Sequence, residues 1–234
     1  MTVPRVRKVV SIAQKRRSAS TAALHGRVYA ELRNALMSGR FAPGSLVSLR
    51  TLAASLGTSP MPVRAAVNRL IAEQALEMRA NRTVAVPILT QNQFLELTEL
   101  RIMLEGRAAT LAVPNVDRAL IETLTDLSER AATAGQRQQM HSALKLNRDF
   151  HFTLYAAAGS QMLQQMIEML WLQAGPLLHL TLAESPVRWN GEHHFEILDG
   201  LRAKNLENVA RAIKADISVT SEYILARGTF SKAA

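Results

Sequence analysis

Between Ser48 and Ile71 the chain reads SLRTLAASLGTSPMPVRAAVNRLI, a segment that leaves room for little besides two short helices joined by a tight turn. Ser48 supplies an N-cap oxygen for a first helix whose Leu49, Leu52, Ala53 and Leu56 keep helical spacing. Gly57 stands where a helix end needs left-handed backbone angles. Ser59 then offers a second N-cap, and Pro60 fills the first helical position, where its missing N–H costs nothing. The second helix is expected to bury Val63, Val67, Leu70 and Ile71. Met61, Pro62, Arg64, Ala65, Asn68 and Arg69 are expected nearer its outer face. Such a helix-turn-helix places its second helix in a DNA major groove.

The flanks extend this reading to a winged helix over residues 23–88. A helix is expected over about residues 26–38, with Val28, Leu32 and Leu36 on one side and Gly39 ending it. Ala42-Pro43-Gly44 makes a turn. After Ala75 come two extended runs, residues 76–79 and 83–87, with Ala80-Asn81-Arg82 as the tip between them. Charge follows the same division: residues 1–87 carry a net +11 and the remainder −2, within a total of +9. A basic head on a near-neutral body points to a polyanion partner at one end. Residues 1–22 hold six Lys or Arg and no acid, and read as a flexible basic arm able to follow phosphates. With no cysteine, disulfides and thiolate metal sites are excluded, and a reducing compartment, the cytoplasm, is the expected location.

Beyond Pro87 the pattern is helical throughout, so the expected class is mainly α: a winged helix followed, over residues 89–234, by a bundle of about six helices for dimerisation and ligand binding. The helices are expected over about residues 92–112, 115–133, 137–158, 161–183, 190–203 and 205–226. On the first, Leu97, Leu100, Leu104, Ala108 and Leu111 form the anticipated inner face. The fourth should bend at Gly175-Pro176, because proline removes a backbone bond there. Its most apolar stretch, broken by Gln173, Pro176 and His179, is too short to span a bilayer, so no membrane partner is expected.

Three of these helices carry polar residues on stripes that should be apolar. Asn147 and His151 are four apart, on the face of Leu144 and Leu154. His194 shares its face with Ile197, Leu198 and Leu201. Asp216 lies midway between Val209 and Tyr223, beside Ile213 and Val219. Buried imidazoles and carboxylates without partners are costly, so convergence on one core is the economical expectation. The set could hold a divalent ion such as zinc, nickel or manganese, bind an anionic ligand directly, or satisfy itself by hydrogen bonds. His193 and His179 fit the pattern less well, and His25 and His141 carry no signal.

These stretches resemble the GntR family of bacterial transcription regulators, in its FadR-like branch with an all-helical FCD effector domain. The first matching stretch is GRFAPGSLVSLRTLAASLGTSPMPVRAAVNRLIAEQALE with the wing ANRTVAV. The second set is LTELRIMLEGRAATLA, NRDFHFTLYAAAG, EHHFEILDGLRAKN and AIKADI. The resemblance implies DNA contacts from Arg50, Ser59, Met61, Pro62 and Arg64, and from Asn81 and Arg82 at the wing tip. Pro60 stands where many members place an arginine, which removes one base-reading guanidinium. In the second domain the resemblance implies a metal set of Asn147, His151, His194 and Asp216, the last in place of the usual final histidine. Arg101 in ELRIMLE could pair with an organic acid effector or with Glu105 one turn on. A ligand-responsive regulator, of the repressor type common in the family, is therefore expected to bind a short pseudo-palindromic operator as a homodimer. The rival readings are a metal-dependent hydrolase with an accessory DNA-binding domain and an architectural DNA binder with a purely dimerising bundle. EHHFE is not the HExxH pattern that a zinc hydrolase would need.

Overall fold

A computed structural model of the chain describes residues 23–183 and 191–232. The basic arm at residues 1–22 lies outside the described residues. Two compact units emerge, one from residues 23–34 and 46–85, the other from residues 35–45 and 86–232.

In the first unit, α1 (residues 23–37) contributes its N-terminal part. β1 (Leu46–Val47) leads into α2 (Leu49–Ser55), and α3 (Pro60–Ala72) precedes β2 (Glu77–Met78) and β3 (Val84–Ala85). The Ser48 hydroxyl accepts from the Thr51 amide at 3.3 Å, which starts α2 as its sequence suggests. Gly57 adopts φ +59°, the left-handed turn that separates the two helices. Ser59 occupies the N-cap position of α3, yet its side chain makes no capping bond. Val63, Ala66, Val67 and Leu70 of α3 are buried with Val28 and Leu32 of α1 and Ala53 of α2. The strands form an antiparallel sheet in the order β1-β3-β2, with Val84 opposite both Val47 and Met78. The β2–β3 hairpin is the expected wing. Strand β1 has no sequence signal, because two residues are too few to show alternation.

Seven α-helices make up the second unit among the described residues: α4 (Gln91–Ala112), α5 (Arg118–Gln136), α6 (Met140–Ala156), α7 (Gln161–Ala174), α8 (Leu180–Ala183), α9 (Glu192–Arg202) and α10 (Leu206–Arg227). The expected fourth helix is α7 and α8 separated by a 3-10 turn, Gly175–His179, so Pro176 breaks it rather than merely bending it. Helix starts are set by local caps. Thr90 and Gln93 form a reciprocal capping box on α4, Asp117 caps α5, and Asn205 caps α10. Helix α10 packs against α4 and α9, and α5 against α6. A single parallel bridge, Thr90 with Ser231, is the one extended pairing outside the sheet among the described residues.

The inner line of α4 differs from expectation. Leu100 is 39% exposed and Leu104 and Leu111 are half-buried, while Phe94, Leu97, Arg101, Glu105, Ala108 and Ala112 face the core. The buried line keeps the same helical period but runs through an ion pair, which local hydrophobicity cannot reveal. On α10, Val219 is likewise exposed, and Ile217 packs inward beside Ile213.

Candidate DNA-contacting face and buried polar cluster

Helix α2 exposes Arg50 in its first turn, and α3 exposes Met61, Arg64, Ala65, Asn68 and Arg69. Met61 is 71% exposed, an unusual position for a methionine unless something covers it. Ser59 is exposed with its hydroxyl uncommitted to the helix cap. Pro62 contradicts the outer-face expectation: it is buried, on one line with Ala66 and Leu70, so its ring packs inside and cannot touch DNA. Pro60 and Pro62 together remove two backbone donors from the first turn of α3, so its anion-binding capacity falls mainly to side chains. Arg69 is tied down within the unit. Its Nε donates to Glu73 Oε1 at 2.9 Å, and its guanidinium lies 3.8 Å from the centre of the Tyr29 ring. Tyr29 in turn donates to Glu73. At the wing tip, the Asn81 carbonyl oxygen accepts from the Thr83 amide and hydroxyl, and Arg82 takes φ +60°. The turn is thus fixed by Asn81, and Arg82 is presented to solvent.

In the helical unit, Asn147 and His151 of α6, His194 of α9 and Asp216 of α10 come together. His194 Nε2 lies 2.9 Å from Asn147 Oδ1, and His151 Nε2 lies 3.2 Å from Asp216 Oδ2. One ligand atom from each of His151, His194 and Asp216 falls within 4.8 Å of the other two. His151 and His194 are almost fully buried, and Asp216 keeps 22% of its side chain exposed. Phe150 stacks flat on His194 at 4.0 Å and meets His151 edge-on, holding both rings. Helix α7 adds Trp171, whose ring lies 5.6 Å from that of His151 and 4.9 Å from the Arg101 guanidinium. The Trp171 Nε1–H is buried and has no hydrogen-bond acceptor among the described residues.

Two residues that spacing alone does not single out complete the cluster. Glu105, fully buried on α4, accepts from Arg101 Nε at 2.8 Å and from the Tyr155 hydroxyl at 2.7 Å. Tyr155 Oη also lies 3.0 Å from His151 Nδ1. The available signal for Tyr155 is its place four residues after His151, on the stripe already read as polar. For Glu105 the sequence offers only a pairing with Arg101. That pairing is what the structure shows.

Ionisation suits ligation. Burial drives His194 down to about 3, against the pull of the Asp216 charge and with help from His151 and His193. For Asp216, burial alone would raise the carboxyl. The hydrogen bond with His151 and the charges of His151, His194 and His193 outweigh it, bringing Asp216 to about 2. At neutral pH the cluster therefore offers a neutral imidazole and a carboxylate, the forms a metal needs. Two ligands of one ion at zinc-like bond lengths stand about 2.9–3.4 Å apart; the two hydrogen-bonded pairs have that spacing, and the ligand atoms of His151, His194 and Asp216 together spread over up to 4.8 Å. The residues fit a divalent ion.

These shifts also predict acid sensitivity. Between its ordinary 6.5 and about 3, His194 holds more proton when unfolded, so stability is full above 6.5 and falls as pH drops. Asp216 continues the loss from 3.8 toward about 2. The unfolding free energy of the metal-free chain, from urea titration, should decline from pH 6.5 to 4, by up to about 1.4 kcal/mol per pH unit for His194 alone. A His194→Leu variant should flatten that slope, and an unchanged slope would contradict the assignment.

The model of the FCD domain matches residues 96–218, and that of bacterial regulatory proteins of the gntR family matches residues 24–86. The chain belongs to the GntR family. It is 31% identical over 180 residues to the HTH-type transcriptional regulator McbR of Escherichia coli, covering 76% of this chain and 81% of McbR. A probable D-xylose utilization operon transcriptional repressor of Paenarthrobacter nicotinovorans is 29% identical, with 75% and 77% covered. The solved structure of E. coli McbR/YncC superposes with a TM-score of 0.82 at 29% identity, over 87% of this chain and 97% of that one. The protein is thus a transcriptional regulator with a DNA-binding winged helix and an FCD effector domain, and not an enzyme. The hydrolase reading falls with that. No described helix is long and apolar enough to cross a membrane.

Proposed function

We propose that this GntR regulator is a ligand-released repressor that grips a short pseudo-palindromic operator as a homodimer. Arg50 and Arg64, with Ser59 and Met61, meet one major-groove half-site, and Arg82 with the Asn81 amide reaches the backbone or minor groove beside it. A divalent ion (zinc, nickel or manganese) is held by Asn147, His151, His194 and Asp216. A small organic acid binds near it, its carboxylate meeting Arg101 and the unsatisfied Trp171 Nε1–H. Arg101 commits Nε to Glu105 and keeps further N–H groups for a ligand. The ion would supply a fixed positive charge to such an acid.

The convergence of four polar side chains from three helices, beside a buried indole donor with no acceptor among the described residues, carries this reading. A helical bundle used only for dimerisation has no need of it. The repressor sign draws on the relative described as a repressor. Regulation requires only that the acid prefer the chain's DNA-free arrangement. The test is selection of binding duplexes from a random library by the purified full chain. The expected product is an inverted repeat bound by two chains, released by one of a panel of small carboxylates that also raises Tm. Recovery of no repeat, or of one that no carboxylate in the panel releases, would refute it.

A further inference from the structure

The leading end of α3 is poor in polar groups on its outer side. Opposite the buried line of Pro62, Val63, Ala66, Val67 and Leu70, its first two turns expose Pro60, Met61, Arg64 and Ala65, with Ser59 ahead of them at the N-cap. Met61 and Ala65 are four apart, so they are neighbours on the helix surface and form one apolar strip about 6 Å long. Met61, at 71% exposure, stands clear of the core. Helices α2 and α3 together carry Arg50, Arg64 and Arg69 and no carboxylate. The strip therefore sits in a positive field, which favours a polyanion over an apolar protein surface as what covers it.

A recognition helix meets base edges through its N-terminal residues. In the major groove guanine and adenine are picked out by bidentate hydrogen bonds and cytosine by an acceptor. Thymine alone presents a methyl group. A thioether chain and an alanine methyl make none of those hydrogen bonds, and they match the thymine methyl. Pro60 and Pro62 have no N–H, which weakens the hold of this helix end on phosphate and leaves side chains to set the approach. The unbranched, polarizable side chain of methionine adapts to such a contact. We propose that Met61 is a specificity-determining residue that reads thymine, seating its side chain against the C5-methyl group, with Ala65 extending the contact toward the next base pair. This rests on the operator reading above and carries it to the base and the atom met at the leading end of α3.

The test uses the full chain without effector and the inverted repeat that wild type selects from a random library. Each thymine of the half-site is replaced in turn by deoxyuridine, which keeps the base pair and removes only the methyl group. At one thymine per half-site, wild-type affinity should fall about fourfold, the effect of leaving one methyl group unburied. Met61→Ala should bind the thymine operator more weakly and be indifferent to deoxyuridine at that position. Its Tm should match that of wild type, because Met61 lies outside the buried line. Met61→Gln, carried through the same selection, should exchange thymine for adenine there, since an amide pairs with adenine. A wild-type repeat in which no thymine is sensitive to deoxyuridine overturns the assignment of Met61. So does a sensitivity that survives in Met61→Ala, or a loss in Met61→Ala that is equal for all sequences; in each of these cases the operator reading stands. Selection of no repeat by wild type removes the operator reading and the role of Met61 with it.

Discussion

Arg64→Ala should weaken operator binding by about 1–3 kcal/mol at each half-site, and a two-fold complex feels the effect twice. The unfolding free energy from urea titration should stay within about 0.5 kcal/mol of wild type. The reason lies in how differently the two arginines of α3 are held. Arg64 is exposed and has no ion pair among the described residues, so removing it takes nothing from the fold. Arg69 clamps Glu73 and covers Tyr29, so Arg69→Ala should lower stability and affect DNA only through the unit it helps to hold. Mobility shifts at two salt concentrations separate the roles of Arg64. An arginine that binds phosphate, once removed, lowers the salt slope by about one and weakens all sequences alike. One that reads a base edge instead relaxes preference at a single operator position when it is removed. Undiminished affinity in Arg64→Ala would remove α3 as the reading helix as placed here.

Much of this fold is legible locally because its punctuation is local. Ser48, Gly57 and Pro60 mark the turn between α2 and α3, and each marks it through its own backbone chemistry. Pro176 marks the break after α7 in the same way. Pro62 reads as an outer residue beside its neighbours Met61 and Arg64, but its stripe says otherwise. At four and eight residues before Ala66 and Leu70, it belongs to the buried line. The polar cluster is legible in part for a similar reason. Asn147 and His151 declare themselves by falling on an apolar face, and His194 and Asp216 do so on theirs. Glu105 does not, because an Arg and a Glu four apart look like an ordinary surface pair. What makes them core residues is Tyr155 on another helix, and no spacing within α4 encodes a partner fifty positions away. Local periodicity reports which faces are buried; it is silent on which polar groups are satisfied by residues brought in from elsewhere.

Changing His151 and His194 together to Ala should bring bound metal to background by elemental analysis and abolish the thermal shift produced by an effector acid. Operator affinity without effector should remain close to that of wild type. The two imidazoles are half of the four-member set, and the remaining amide and carboxylate oxygens make a poor site for zinc or nickel. Affinity should therefore fall by more than the roughly 100-fold that removal of a supporting hydrogen bond costs. Because both rings are buried against Phe150, the double variant also leaves cavities and becomes less stable. Asp216→Asn controls for that: it is nearly isosteric and partly exposed, and it removes the set's only negative charge. With volume kept, a fall in metal content in Asp216→Asn belongs to ligation and not to unfolding. Metal content at wild-type level in both variants would dissolve the site, and the three helices would then be bringing polar groups together only to satisfy one another. The effector arm remains decisive in that case. An acid that still stabilises Asp216→Asn but not a Trp171→Phe variant would assign recognition to the indole and Arg101 alone, with the carboxylate seated on an indole N–H that has no acceptor among the described residues and on the guanidinium beside it.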